Sequence, residues 1–237
     1  KHLEIKGDSD HSKLIKMLDV LNDESSSMDD ELFVTYFDKE NIAYWMAFQL
    51  LTGNTDTQNR NVYLYSPQNS SKWYLWDWDN DGMLRRRERE IINFSDSESW
   101  ERGVSNYWGN VLFRRCLQTQ SYRDLLDSAM KELYAYMNEE RIQSMMEHYR
   151  SVTEKYVWQM PDRMNVPITH DEYEEVLKSI WPEIDENYNY YWESYRKPMP
   201  FYIGKPQVVN GSLLLTWDPS YNFEIENIYY TVELAKD

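Results

Sequence analysis

One cysteine, Cys116, in 237 residues excludes an internal disulfide and says little about compartment. Basic residues are also short: Lys+Arg number 25 against 41 Asp+Glu, a net charge of −16. That balance argues against a nucleic-acid backbone or an anionic membrane as partner. No apolar run approaches the length of a membrane span. Neither an initiator methionine nor a signal peptide stands at Lys1, so the chain is expected to be a piece of a longer protein. What is present is an apolar content of 41%, enough for a real core in one large or two modest domains. Ten Trp and 20 Tyr suit extended surface clefts as well as cores.

The chain is organised around Gly53 to Gly82. Asn54, Asp56, Asn59 and Asn61 form one polar cluster, and Asp77, Asp79, Asn80 and Asp81 form another. Between them VYLYS and KWYLW read as a hairpin turning through Pro67-Gln68-Asn69. A hairpin returns the chain to its start, so Asp56 and Asn61 are expected beside Asp77 and Asp79. This is a hard-cation site in outline, with oxygen ligands and no sulfur or imidazole. In an extended strand 77, 79 and 81 share a face, leaving Trp78 to pack beneath the site.

Upstream, Leu14, Ile15, Leu18 and Leu21 recur at helical spacing, SSSMDDE reads as a loop, and Asp38 caps a helix that ends at Gly53. That helix is apolar nearly all round and is expected to be buried, with Trp45 and Phe48 in the core. Trp100, Tyr107 and Trp108 lie in a polar loop and are candidates for a binding surface. Arg85-Arg86-Arg87-Glu88-Arg89-Glu90 is a solvated turn, or a counter-charge for the acidic site or a phosphate. Helices follow from Val111 to about Pro198, with Ser121 as a cap, a stop at Pro161 and a last helix, from Thr169 or His170, interrupted at Pro182. His148 and His170 lack partners at ligand spacing and read as structural or surface residues. Met130, Met137, Met145 and Met146 read as core fillers.

From Pro198 the pattern changes from helical to alternating, with an Asn-Gly turn at 210–211 and strands SLLLTW and YYTVELA. This part resembles the opening of a fibronectin type III domain, with Trp217 on its second strand and Tyr230 on its third.

The central stretch, GNTDTQNRNVYLY followed by KWYLWDWDNDG, resembles the signature of the CotH family, atypical kinases first known from spore coats. The likeness covers roughly residues 10–195. It implies an α+β fold: a mainly helical kinase-like C-lobe with a central β-hairpin over 1–197, then a partial β-sandwich over 198–237. It also implies ATP-dependent phosphorylation of a protein hydroxyl with Mg or Mn, at the cell surface or outside the cell. Asp56 and Asn61, five residues on, match the kinase catalytic-loop spacing, in which Asp takes the hydroxyl proton and Asn binds metal. Asp77 then matches the metal-presenting aspartate, and Asp79 is placed to share that role. No Gly-rich phosphate loop and no nucleotide lysine with its glutamate partner precede Asp56. Either the nucleotide lobe lies outside this piece or the protein has lost activity.

A second pattern uses the same residues. Asp77, Asp79, Asp81, Gly82 and Glu88 fit the calcium loop of an EF-hand, with Leu84 at its apolar position, although the flank KWYLW reads as strand. The alternative function is therefore a non-catalytic, calcium-stabilised binding module of the cell surface.

Overall fold

The computed structural model describes residues 10–58, 60–94, 102–224 and 227–233. Helix α1 (Ser12–Asn22) leads into a π-helical segment, Met28–Tyr36. Its wide winding shows in the bonds Leu32 N to Ser27 O and Phe37 N to Leu32 O, each five residues back. The SSSMDDE stretch is thus a loop only in its first half. Ser27 accepts from the Asp30 amide and starts the helix, and the acidic residues that follow suit a helix N-terminus.

Helix α2 (Lys39–Leu51) is the centre of the fold. The Asp38 side chain accepts from the Asn41 amide, and Gly53 at φ +64° ends the helix in a conformation that glycine adopts without strain. Ile42, Ala43, Met46, Ala47 and Leu51 are fully buried, and Trp45 stacks on Phe113 with centroids 5.4 Å apart. Ile42, Met46 and Leu51 each contribute about 1.5–3 kcal/mol by leaving water. Phe48 is only partly buried.

The hairpin forms as expected, with β1 (Tyr63–Tyr65) antiparallel to β2 (Tyr74–Trp76) and Leu64 opposite Leu75. Its inner face buries Leu75, while Tyr63, Tyr65, Trp76 and Trp78 remain exposed on the other side. Asn41 stitches the hairpin to α2: Oδ1 accepts from Leu75 N at 2.7 Å and Nδ2 donates to Leu75 O at 3.2 Å. The side-chain amide stands in for a neighbouring strand.

The basic run is helical rather than a turn: α3 (Arg86–Ile91) lies against the last helix and pairs with its acidic face. Arg86 meets Glu186 at 2.7 Å and Arg87 meets Glu175 at 2.7 Å. Then come α4 (Val111–Gln118), α5 (Gln120–Tyr136), α6 (Glu139–Val157) and α7 (His170–Ser194). Thr119, not Ser121, occupies the cap position of α5. The Ser121 hydroxyl instead donates to Asp29 at 2.6 Å, tying α5 to the π-helical segment. Thr169 starts α7 with a reciprocal Glu172 capping box, and the helix passes through Pro182 without a break. Packing against α2, α3, α5 and α6 outweighs the one backbone bond that proline forfeits.

Tyr107 and Trp108, expected at a binding surface, are buried. Tyr107 packs edge-on to Trp45 and Phe113, and Trp108 lies against Tyr221 and Phe223. The loop was polar in composition, but its aromatic rings serve the core. Trp100 lies outside the described residues. At the C-terminal end β3 (Gln207–Val209) and β4 (Ser212–Leu214) form a hairpin, with Asn210 and Gly211 both at positive φ. Residues 229–233 form no strand, since no neighbouring strand pairs with them among the described residues; residues 234–235 lie outside that set.

Candidate active site

Two loops meet beside the C-terminal half of α2. The first begins at Asn54, whose side chain caps a short 3-10 turn, Thr55–Thr57, that carries Asp56. Asn61 lies at φ +54°, a left-handed position that Asn tolerates, and donates from Nδ2 to Asp56 Oδ2 at 2.9 Å. Arg60 lies 3.6 Å from Asp56 Oδ1. The Thr57 hydroxyl donates to Asn54 O at 3.2 Å and contacts the buried Tyr107 hydroxyl at 2.9 Å, which anchors this turn to the aromatic core.

The second loop leaves β2 at Trp76 and carries Asp77. Tyr63, two residues after Asn61, pairs with Trp76, so the hairpin returns Asp77 towards the first loop. Gln49 of α2 donates from Nε2 to Asp77 Oδ1 at 3.0 Å and to Asn80 Oδ1 at 3.3 Å. Asn54 Nδ2 in turn donates to Gln49 Oε1 at 2.9 Å and to Asn80 Oδ1 at 3.3 Å. Gly82 closes the assembly: a β-carbon there would stand 2.9 Å from Asn54 Oδ1 and 3.8 Å from the Asp56 Cβ. The Leu84 amide donates to Thr52 O at 2.9 Å, pinning the second loop to the end of α2.

Asp56 and Asn61 therefore touch, and Asp77 joins them through Gln49 and Asn54. Asp79 is exposed and left-handed at φ +56°, outside this hydrogen-bonded set. The strand does not continue through 77–81: Asn80–Gly82 is a 3-10 turn, so 77, 79 and 81 do not share a face. Trp78 does not lie beneath the site but packs on Tyr63 at the exposed hairpin face, centroids 5.1 Å apart.

Asp77 stays open to solvent on one side, while partial desolvation pushes its carboxyl pKa up and the Gln49 bond acts in the opposite direction. Among the described residues no Lys or Arg forms an ion pair with it. A carboxylate so placed favours a compensating cation. A cavity of about 420 Å³ opens alongside, with Gln49, Asn54, Gly82, Arg86, Glu183 and Tyr190 in its wall. Burial raises the Glu183 pKa, against the opposing pull of Arg86, whose amide donates to its carboxylate at 3.3 Å.

The family model described as CotH kinase protein matches residues 1–191. This chain belongs to the CotH kinase family. No curated protein and no solved structure shows significant similarity to it. The kinase family suggests a divalent cation with ATP, and the donor set here fits one: carboxylate and amide oxygens, no sulfur, and a carboxylate with no ion pair among the described residues.

The calcium loop is not assembled in this CotH chain. Both Glu88 oxygens are taken by Arg85, at 2.8 and 3.0 Å, and the preceding flank is strand. Among the described residues the ligand-type cluster lies elsewhere, at Glu154, His170 and Glu174 between α6 and α7. Sequence spacing hid this group because the contact joins two helices. Arg150 binds both of its carboxylates and lowers the Glu154 pKa, so the positive charge there is already supplied. The residue missed at the site itself was Gln49. Its signal was present in the sequence: one long polar side chain inside a helix otherwise apolar all round.

Proposed function

We propose that this chain carries the metal- and acceptor-handling part of a protein kinase that transfers the γ-phosphoryl group of ATP to a protein hydroxyl with Mg or Mn. The observation that carries this reading is the 2.9 Å bond from Asn61 to Asp56 within the polar set that also contains Asp77. Asp56 is the base, Asn61 and Asp77 are the direct ligands, and Asp79, on the neighbouring exposed turn, shares the charge. When bound, the cation neutralises the phosphate oxygens and aligns them.

The chain's own residues perform the rest. Asn61 occupies Asp56 Oδ2 and leaves Oδ1 as the oxygen that takes the acceptor proton. Arg60 lies 3.6 Å from that Oδ1. The acceptor oxygen forms a new bond to phosphorus, the bond from phosphorus to the ADP oxygen breaks, and the hydroxyl proton passes to Asp56. Oriented carboxylates suffice here because phosphoryl transfer is mostly positioning and charge neutralisation.

Family membership and the tail support placing the protein outside the cell or on its surface. In that tail the β3–β4 hairpin and the Trp217–Tyr230 ring contact at 5.7 Å support reading it as the beginning of a fibronectin type III-like domain. The test uses the full-length protein, because the present sequence offers no Gly-rich phosphate loop. Asp77→Ala should abolish metal-dependent nucleotide binding, whereas Asp56→Ala should keep binding and lose transfer. Equal phosphate transfer by wild type and Asp56→Ala would refute the assignment.

A further inference from the structure

Gln49 lies on α2, only 1% exposed, where an amide is costly unless every polar atom is matched. Here each is matched by the site. Both Nε2 hydrogens are used, one on Asp77 Oδ1 at 3.0 Å and one on Asn80 Oδ1 at 3.3 Å. Oε1 accepts from Asn54 Nδ2 at 2.9 Å, and the Gln49 backbone carbonyl accepts from the Asn54 amide at 3.0 Å. The orientation of this amide follows from chemistry, since a carboxylate oxygen facing it must accept and Nε2 must therefore point to Asp77. Once that is set, Asn54 must present Nδ2 to Gln49 and Oδ1 to the Asp56 amide, 3.4 Å away. Donation thus runs one way, from the Asp56 amide through Asn54 and Gln49 to the Asp77 carboxylate.

We propose that Gln49 is a positioning residue that sets the metal-holding loop of Asp77 and the base-holding loop of Asp56 in one frame. This rests on the function proposed above, and it adds a residue that acts through the Asp77 and Asp56 loops. The two loops are separated by the whole hairpin, which is anchored at Leu75 by Asn41, nearer the start of α2. Without Gln49 the hairpin would still dock, but Asp77 would lose its donor and Asn54 the nearer of its two acceptors. Asn54 connects Gln49 to the Asp56 turn and reaches the second loop at Asn80 Oδ1, 3.3 Å away, without touching Asp77.

The two links separate experimentally in the full-length protein. Gln49→Met keeps length and helix propensity and removes the bonds to Asp77, Asn80 and Asn54, whereas Asn54→Ala leaves the Gln49 bonds to Asp77 and Asn80 in place. Mn²⁺ affinity, measured by calorimetry without nucleotide, should fall about 10- to 100-fold in Gln49→Met, as for other residues that orient ligands. Asn54→Ala should keep Mn²⁺ affinity within about threefold and lower kcat about tenfold or more with little change in KM, because it misplaces only the base. Backbone hydrogen exchange should quicken over both 54–58 and 77–82 in Gln49→Met, and more over 54–58 than over 77–82 in Asn54→Ala. Wild-type Mn²⁺ affinity in Gln49→Met overturns the proposal. If that variant does not fold, Asn54→Ala decides it, and an unchanged kcat with unchanged exchange over 54–58 overturns it. A wild type that binds no Mn²⁺ and transfers no phosphate overturns the reading of the site. The exchange arm still judges the tie in that case: faster exchange in both segments supports it, and unchanged exchange removes it.

Discussion

Gly53→Ala tests whether the junction between α2 and the first loop is held as the structure has it. Gly53 sits at φ +64°, and an added β-carbon would meet Asn187 Nδ2 at 2.8 Å and Glu183 Oε1 at 3.3 Å. The left-handed backbone costs a non-glycine residue about 1–2 kcal/mol. Asn187 cannot simply withdraw, because its Nδ2 donates to Leu51 O at 3.1 Å and closes the end of α2. Losing that bond adds about 1 kcal/mol. The sum is about 2–3 kcal/mol, or a fall in Tm of about 4–12 °C for a chain of this size. Urea unfolding of wild type, Gly53→Ala, Asn187→Ala and the double variant separates the two terms. With Asn187 shortened, Gly53→Ala should cost only its backbone part, so the cycle should show a coupling of about 1 kcal/mol. Gly53→Asn, which tolerates the left-handed region, isolates the collision. A Gly53→Ala cost below about 0.5 kcal/mol, or strict additivity in the cycle, would refute the argument.

Other perturbations have equally definite outcomes. Leu75→Ala should cost about 2–5 kcal/mol and Trp76→Ala under about 1 kcal/mol, because adjacent residues of one strand face core and solvent; the reverse order in urea unfolding would contradict the hairpin's placement. Arg115 donates to the carbonyls of Leu21 at 2.6 Å, Asp23 at 3.1 Å and Ser26 at 2.5 Å. Arg115→Lys cannot span all three and should cost about 2 kcal/mol, with a loss under about 0.5 kcal/mol counting against that role. Glu183, whose pKa burial raises, contributes stability fully below the ordinary Glu value and loses it as pH rises through the raised folded value. Glu183→Gln should therefore raise Tm at pH 7 and flatten that part of the pH profile, and a lower Tm at pH 7 would show that the Arg86 contact dominates instead.

Local sequence alone determined much of this protein. The cap at Asp38, the stop at Gly53, the hairpin between two Asp/Asn clusters and the Asn-Gly turn at 210–211 all follow from propensities acting within a few residues. The apolar surround of α2 announced its burial for the same reason. Tertiary structure decided what depends on neighbours distant in the chain. Tyr107 and Trp108 sit in a polar loop, yet Trp45, Phe113, Tyr221 and Phe223 supply rings for them to pack against. The Arg85–Glu90 run became a helix because α7 brought carboxylates to it, and Pro182 failed to break α7 because four helices hold that helix straight. At the site, local spacing brought Asp56 to Asn61, but no spacing rule pairs Gln49 with Asp77, Asn80 and Asn54 at once. That convergence exists only when the hairpin folds back along α2, where a buried amide must find a partner for every polar atom.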